Sequence, residues 1–514
     1  MWFDDEIELL LKNIGSVLCM GSRDSDTVEG EGEYYDGEAN KEDKVRVAFV
    51  LTTWFKTGGH SSLLKIWMEL LEDDCEQYIY ITGGKRGEAY YQDLRKALEN
   101  KETHIRLLNF STLSAGIQQL VHEIEKDTPN VLVTFIHPDD VVAVSSISVL
   151  RDKPIVIFVN HADHVFWLGR GILDYLVDFR SEGIKISRLL RRIGNSYKIP
   201  LTYDAAGKGL SGSDLLTPKK SARIELGIPE GATLSLSIGS LYKVLGAPDI
   251  DYFEVILELL KRNPDHYHIL ITTPSSGEII EKQFKRYREL RERLIVKGPI
   301  NDLQPYFIHS DFLIDTFPYG GGLVPLEAAA NKVPIIGYSN ARCPLFGNAG
   351  FLPEDYPFIA RRKIEIIEYS EIMLKNRELR DGIGEILFRR YQAQYSPAVV
   401  KSLILSLIKG EVGERAVLLE DVNEEYTLDL DYINILEERF LGKKRFRPDL
   451  YMLSLLILET TKGNKYRRGK HLLKAYRYNE FSSIGETVRY TIAAIIGNRR
   501  LANLRKRMRE VARF

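Results

Sequence analysis

Cysteine is scarce in this chain of 514 residues: Cys19, Cys75 and Cys343 stand far apart and outside any C-x-x-C or other zinc spacing. That excludes a disulfide framework and fits a reducing compartment. An excess of charge is missing too. The net charge is −2, which argues against a global nucleic-acid footprint. No apolar run approaches the roughly 20 residues needed to cross a bilayer. The first residues, Met-Trp-Phe-Asp-Asp-Glu, are acidic where a signal peptide would be basic. No repeat of solenoid period occurs. The remainder has the composition of a soluble globular protein, expected in the cytoplasm, and is too long for a single core.

The pattern along the chain predicts four regions. Residues 1–44 open with a short amphipathic helix (Ile7, Leu9, Leu10, Leu11, Ile14) and continue as an acidic, Gly- and Ser-rich linker. Residues 45–206 alternate buried strands with helices, the strands at 46–51, 78–82, 105–108, 131–135 and 155–160. Strands apolar on both faces belong in a parallel sheet covered on both sides. Gly207 to Lys220 reads as an interdomain linker. A second βα series fills 207–410, with strands at 234–238, 268–272, 294–297, 312–315 and 334–337. Neither unit carries a dinucleotide-type glycine fingerprint after its first strand. In such open sheets, ligands lie at the carboxyl ends of strands. Residues 411–514 read as a helical extension. It ends in Arg499, Arg500, Arg505, Lys506, Arg507, Arg509 and Arg513, with Leu501, Leu504, Met508 and Val511 on one face. Such a helix can lie on an anionic membrane surface, or dock on the body or on a partner subunit.

The most informative stretch runs from Asp315 to Pro334. A buried strand leads into Gly320, Gly321 and Gly322, then into an apolar helix beginning Leu323-Val324. Glycines at a strand-to-helix turn let an anion approach backbone N–H groups and the positive end of the helix. Glu327, about one turn down, falls where a ribose hydroxyl would be. Lys243 follows the first strand of the second unit and is a fixed positive charge for an anion held there. Gly298, Pro299 and Ile300, after the strand at 294–297, can offer backbone groups to a base. Asn160-His161-Ala162-Asp163-His164 closes a buried strand and crowds two imidazoles and a carboxylate together. Asp163 is a candidate base or orienter, or a helix cap. His137-Pro138-Asp139-Asp140 can line the mouth of the first unit's site or simply start a helix with an acidic cap. Gly58-Gly59-His60 is a looser signal, with Gly59 opening the floor of the site. No Asp-x-Asp sits in a convincing loop, so no metal is expected and protein groups must meet the diphosphate charge.

The segment Asp315 to Pro334 resembles the donor-binding segment of GT-B glycosyltransferases. It is most similar to the O-GlcNAc transferase family and the bacterial cytoplasmic protein N-glycosyltransferases. Asp315, Gly321, Glu327 and Pro334 fall at that family's places without a gap, and Leu241-Tyr242-Lys243 resembles its strand-end motif. Leu323 and Val324 depart from it, since the family usually has a hydroxyl residue there. The resemblance implies a GT-B fold of two Rossmann-like domains facing across a cleft and a UDP-sugar donor bound by Lys243 and the glycine turn. It also implies active-site roles for His161 and His164. The large retaining GT-B family has Glu where this chain has Tyr319 and Arg where it has Ser240. Both departures favour an inverting reaction, in which one base beside the acceptor suffices. The expectation is transfer from a UDP-sugar to a protein or peptide acceptor. The alternatives are a polysaccharide or lipid-linked glycan acceptor at a membrane surface, an epimerase or hydrolase, and a non-catalytic partner subunit.

Overall fold

The computed structural model describes residues 4–23, 44–55, 59–83, 88–98, 103–163, 165–203, 223, 227–229, 231–245, 249–272, 277–300, 302–340, 347, 351–352, 355–411 and 456. The expected linker at 207–220 lies outside these residues, as does the expected linker Gly21–Asp43 except for its first three residues, which are helical, and so do His164, Gly58, Cys343 and the basic C-terminal helix. The chain divides into two compact units. One comprises Met1–Val177, Leu190–Ser196 and Arg445–Phe514; the other comprises Asp178–Leu189 and Tyr197–Lys444.

The first sheet contains β1 (Val45–Leu51), β2 (Cys75–Ile81), β3 (Thr103–Leu107), β4 (Val131–Phe135), β5 (Ile155–Val159), β6 (Tyr175–Asp178) and β7 (Ser196–Lys198), in the order β3-β2-β1-β4-β5-β6-β7. β1 pairs in parallel with β2 and β4, with Val47 facing Gln77 on one side and Val131 on the other. The central strands are buried along nearly their whole length because both faces carry Val, Ile, Leu and Phe. Helices between them are fixed by side-chain caps. Thr112 Oγ1 accepts from Ala115 N at 3.3 Å ahead of Leu113–Asp127, and Asp140 Oδ1 accepts from Ala143 N at 2.9 Å ahead of Val141–Ile147.

The N-terminal helix is longer than its sequence pattern suggests, running Asp5–Arg23, and it belongs to this unit. Leu11 and Cys19 are fully or almost fully buried in the core, together with Leu456 from the far end of the chain. Gly15 permits the close packing, since a Cβ there would lie 2.6 Å from the Ser145 carbonyl oxygen.

The second sheet contains β8 (Thr233–Ile238), β9 (His266–Ile271), β10 (Leu294–Lys297), β11 (Phe312–Ile314), β12 (Ile335–Tyr338) and β13 (Ile359–Ala360), in the order β10-β9-β8-β11-β12-β13. All its pairs are parallel. In both sheets the chain order reverses at a central pair, β1/β4 in one and β8/β11 in the other. These are the topological switch points, where an open parallel sheet leaves a crevice beyond the carboxyl ends of its strands.

Candidate functional site

In the second unit, the residues after β8 and β11 meet at the switch point. Leu241–Val244 forms a single 3-10 turn after β8. Lys243 is half-buried, and its Nζ donates to the Gly320 carbonyl at 3.0 Å. Asp315 directly follows β11 and is fully buried; both its carboxylate oxygens accept from the Gly321 N–H, at 3.1 and 3.0 Å. The glycine turn is thus braced by a base through one residue and by an acid through the next. Burial pushes the Asp315 carboxyl up to about 7, against the opposing pull of Lys243 and of the Gly321 and Thr316 N–H groups. Burial lowers the Lys243 ammonium, Asp315 raises it, and the positive charge of Arg180 lowers it further.

The sequence suggests three glycines offering backbone N–H groups to an anion. The structure commits that of Gly321 to Asp315, so it is not open to a ligand in this arrangement. Gly320 and Gly322 are half-buried, and Gly322 stands at the N-cap of the helix Leu323–Ala330. Leu323 and Val324 are half-buried in its first turn, and Val324 packs on the core. Glu327 is almost wholly buried, at 8 % exposure. Gly298 and Pro299 are exposed and Ile300 is half-buried. They follow the edge strand β10, at the same carboxyl end as Lys243 but separated from it by β9. Two residues that the sequence does not single out shape the turn. A Cβ at Gly239 would lie 3.3 Å from Lys243 Cδ and 3.0 Å from Thr316 Cγ2, so glycine there lets the lysine stem pass. Thr316 Oγ1 donates to the Tyr319 carbonyl at 2.6 Å and closes the loop.

In the first unit, three imidazoles converge beyond β1, β4 and β5. The His60 ring lies 4.5 Å from that of His161 and 5.8 Å from that of His137, and Phe55 stacks on His137 at 5.8 Å. His60 follows Gly59, which opens the helix Gly59–Leu71. Its Nε2–H donates to the Phe135 carbonyl at 2.9 Å. Desolvation lowers its pKa to about 4, with the Phe135 carbonyl opposing and His137 adding to the drop. The ring is therefore neutral at physiological pH. Its Nδ1 lone pair is buried, and no protein group donates to it among the described residues. Asp140 ties the strand ends together, accepting from Thr52 Oγ1 at 2.6 Å and from Thr82 Oγ1. Thr52 Oγ1 in turn accepts from the His137 N–H at 2.7 Å. Asp163 is half-buried, and its carbonyl accepts from the buried Arg191 guanidinium at 3.0 Å. The sequence marks His161 but gives His60 and His137 only loose weight as site residues. The signal available was position, since each follows a strand of the switch-point region closely. Among the described residues no group of three His, Cys, Asp or Glu is arranged to hold a metal ion, and no helix is long and apolar enough to cross a membrane.

No family model matches the chain, and no curated protein matches it. Solved structures do. The chain is similar to HepE from Anabaena in complex with UDP, at 11 % identity and a TM-score of 0.57, covering 71 % of this chain and 100 % of that one. It is similar to a glycosyltransferase from Rickettsia africae at 12 % identity and a TM-score of 0.57, covering 71 % and 98 %. It is also similar to the lipopolysaccharide outer core galactosyltransferase WaaB, at 12 % identity and a TM-score of 0.51, covering 72 % and 100 %. At such identities the likeness speaks for the fold. With two parallel-sheet α/β units in the doubly wound order, the chain has the GT-B fold.

Proposed function

We propose that this protein is a glycosyltransferase that takes a sugar from a UDP-sugar and transfers it to a protein or peptide, with inversion and without a metal, in the manner of the O-GlcNAc transferase and N-glycosyltransferase family. The observation that carries this reading is the braced glycine turn at the β8/β11 switch point, with Lys243 Nζ on the Gly320 carbonyl and Asp315 on the Gly321 N–H. Lys243 and Arg180 supply the positive charge a departing diphosphate needs. Two strand spacings, about 10 Å, separate β10 from β8. That span suits a nucleoside lying with its base at Gly298, Pro299 and Ile300, its ribose towards Glu327 and its phosphates at Lys243. The UDP bound to the structural neighbour HepE supports the same donor class.

The first unit serves the acceptor. In an inverting displacement the acceptor atom attacks the anomeric carbon, the bond from that carbon to the diphosphate oxygen breaks, and the acceptor proton passes to a base. Asp163 and His161 are the candidates for that base, with His164 beside them in sequence. His60 stays neutral and orients, because a ring with its pKa near 4 accepts a hydrogen bond but holds a proton poorly. A glycan acceptor is the second reading, favoured by the likeness to the galactosyltransferase WaaB and by the basic residues near the C-terminus.

Calorimetric titration with UDP, UDP-GlcNAc and UDP-glucose tests the reading, comparing wild type with Lys243→Ala. Micromolar binding that weakens at least about a hundredfold in the variant is expected, from the loss of a charge-assisted contact in a partly desolvated site. Absence of binding by every uridine nucleotide would sink the assignment and favour a subunit that acts only through a partner. Turnover of the donor with no acceptor present would point instead to an epimerase or hydrolase. Insensitivity of transfer to EDTA is expected, and its loss on chelation would overturn the metal-free mechanism.

A further inference from the structure

The N-terminal helix contacts, through one carboxylate, the end of the segment that follows Asn160. Glu8 Oε1 accepts from the Gly169 N–H at 2.7 Å and from the Arg170 N–H at 3.1 Å, while Oε2 accepts from the Gly171 N–H at 3.4 Å. Three successive backbone donors converging on an anion form a nest. Gly169 has φ +120, and a Cβ there would strike the Phe158 ring, so this backbone shape needs glycine. Beside the nest, Arg170 pairs with Asp5.

This nest ends the loop that begins at Asn160 and carries His161 and Asp163. Between them the loop has little freedom. Phe166, Trp167 and Leu168 are buried, and Trp167 stacks on Phe158 at 4.3 Å. The Arg191 guanidinium lies 5.1 Å over the Trp167 ring and donates to the carbonyls of Asp163 and Val165, at 3.0 and 2.7 Å. The Leu168 N–H donates to the Pro138 carbonyl at 2.8 Å, next to His137. Arg191 thus holds the near part of the loop, and Glu8 bonds the N–H groups of its far end. A carboxylate so enclosed is costly, and burial raises the Glu8 pKa against the three N–H bonds.

We infer that Glu8 is a positioning residue: the N-terminal helix fixes, through the Gly169–Gly171 nest, the loop that carries Asp163 and sets His161 beside His60. This deepens the proposed function and rests on its reading of the first unit as the acceptor side. It makes the helix Asp5–Arg23 part of the catalytic apparatus rather than a preceding arm.

The test uses the full-length protein as wild type, Glu8→Ala and Glu8→Gln, with ring-labelled histidine and amide hydrogen exchange. The His161 signal is assigned by its loss in His161→Gln. In Glu8→Ala, amides of 169–171 are expected to exchange about tenfold faster or more, β4 amides to keep their rate, and the His161 ring signal and its pH titration to move. Glu8→Gln still presents an oxygen to the nest and should restore much of both. Identical His161 titrations in wild type and Glu8→Ala would overturn the inference. Faster exchange throughout β4 would overturn it as well, since Glu8 would then be a general support. Titration with UDP reads the second unit separately, so failure there would remove the glycosyltransferase reading and leave the His161 result standing.

Discussion

On the proposed reading, Asp315 is the group through which pH should reach the bound nucleotide-sugar. Burial holds its carboxyl up to about 7, so it changes charge within the working range. The diphosphate of UDP-glucose is a diester whose two charges do not titrate near neutrality, so any change in its affinity reports the protein. The sign follows from charge. Above about 7 the Asp315 anion repels the ligand and offsets Lys243; below that it is neutral and the repulsion is gone. Two unit charges about 8 Å apart in an effective dielectric of about 20 interact by about 2 kcal/mol, or about thirtyfold in affinity. The dissociation constant of UDP-glucose should therefore fall by up to about thirtyfold between pH 9 and pH 6, with uptake of up to about one proton on binding near neutrality. Calorimetry in two buffers of different ionisation enthalpy measures both quantities. Asp315→Asn keeps an oxygen for the Gly321 N–H and removes the charge, so it should bind at pH 8 about as tightly as wild type does at pH 6. Any slope it retains at high pH belongs to Lys243, whose ammonium burial has already lowered. A wild-type affinity flat with pH, or the same slope in Asp315→Asn, would refute the reasoning.

Two further outcomes follow from the packing of the second unit. Gly384→Ala would drive a methyl group into the Lys332 carbonyl, a backbone clash that should cost about 2 kcal/mol or more; thermal unfolding should fall by several degrees, and an unchanged transition would contradict the packing of helix Arg377–Arg390 on that turn. The chain Thr233–His266–Ser235–His268–Tyr252, buried from His266 on, is linked at 3.0, 2.9, 2.7 and 2.7 Å. Burial lowers His266 to about 4 and His268 well below its ordinary value. Because these folded pKa values are depressed, the unfolded chain takes up protons first. Stability is complete above about 6.5 and is lost as pH falls toward 4, by about 3 kcal/mol for His266 alone. Urea unfolding at pH 7 and pH 5 measures this, and equal stability at both would count against neutral buried rings.

Much of the fold is legible because parallel strands buried on both faces write continuous apolar runs. Val131–Phe135 and Leu294–Lys297 fall where the pattern places them. Edges shift where polar residues enter a strand: β2 begins at Cys75 and includes Glu76 and Gln77, and β9 begins at His266. Gln77 is paired inside through Nε2 to the Met68 carbonyl at 2.8 Å, and His266 through two hydroxyls. A polar residue with a buried partner cannot be told from a surface residue by pattern alone. The N-terminal helix reads as short because the amphipathic pattern is carried only by Ile7 to Ile14, whereas the helix runs on to Arg23. In the folded chain Gly15 is the close-approach point against Ser145. The site is legible as single strand ends. The meeting of His60, His137 and His161 is not, because it depends on the strand order, which sequence adjacency does not give.

The strand order also explains how the glycine turn can do without the hydroxyl residues absent at Leu323 and Val324. A hydroxyl in the first helical turn both steadies a phosphate and tethers the turn to it. Here the tether is internal. β8 and β11 are neighbours, so the residues beyond them, Lys243 and Asp315, grip consecutive glycines from the two sides of the switch point. The turn is then ordered before any ligand arrives, and the ordering cost is met during folding rather than binding. The same device has a chemical consequence. On the proposed reading, with the Gly321 N–H committed to Asp315 and no N–H at Pro325, the turn and helix start offer fewer backbone donors, and Lys243 carries a larger share of the diphosphate charge than it would beside a hydroxyl. On the proposed reading, restoring a hydroxyl with Val324→Thr should therefore tighten UDP binding and shrink the loss caused by Lys243→Ala. Purely additive effects of the two substitutions would show that the lysine and the helix terminus meet the nucleotide independently.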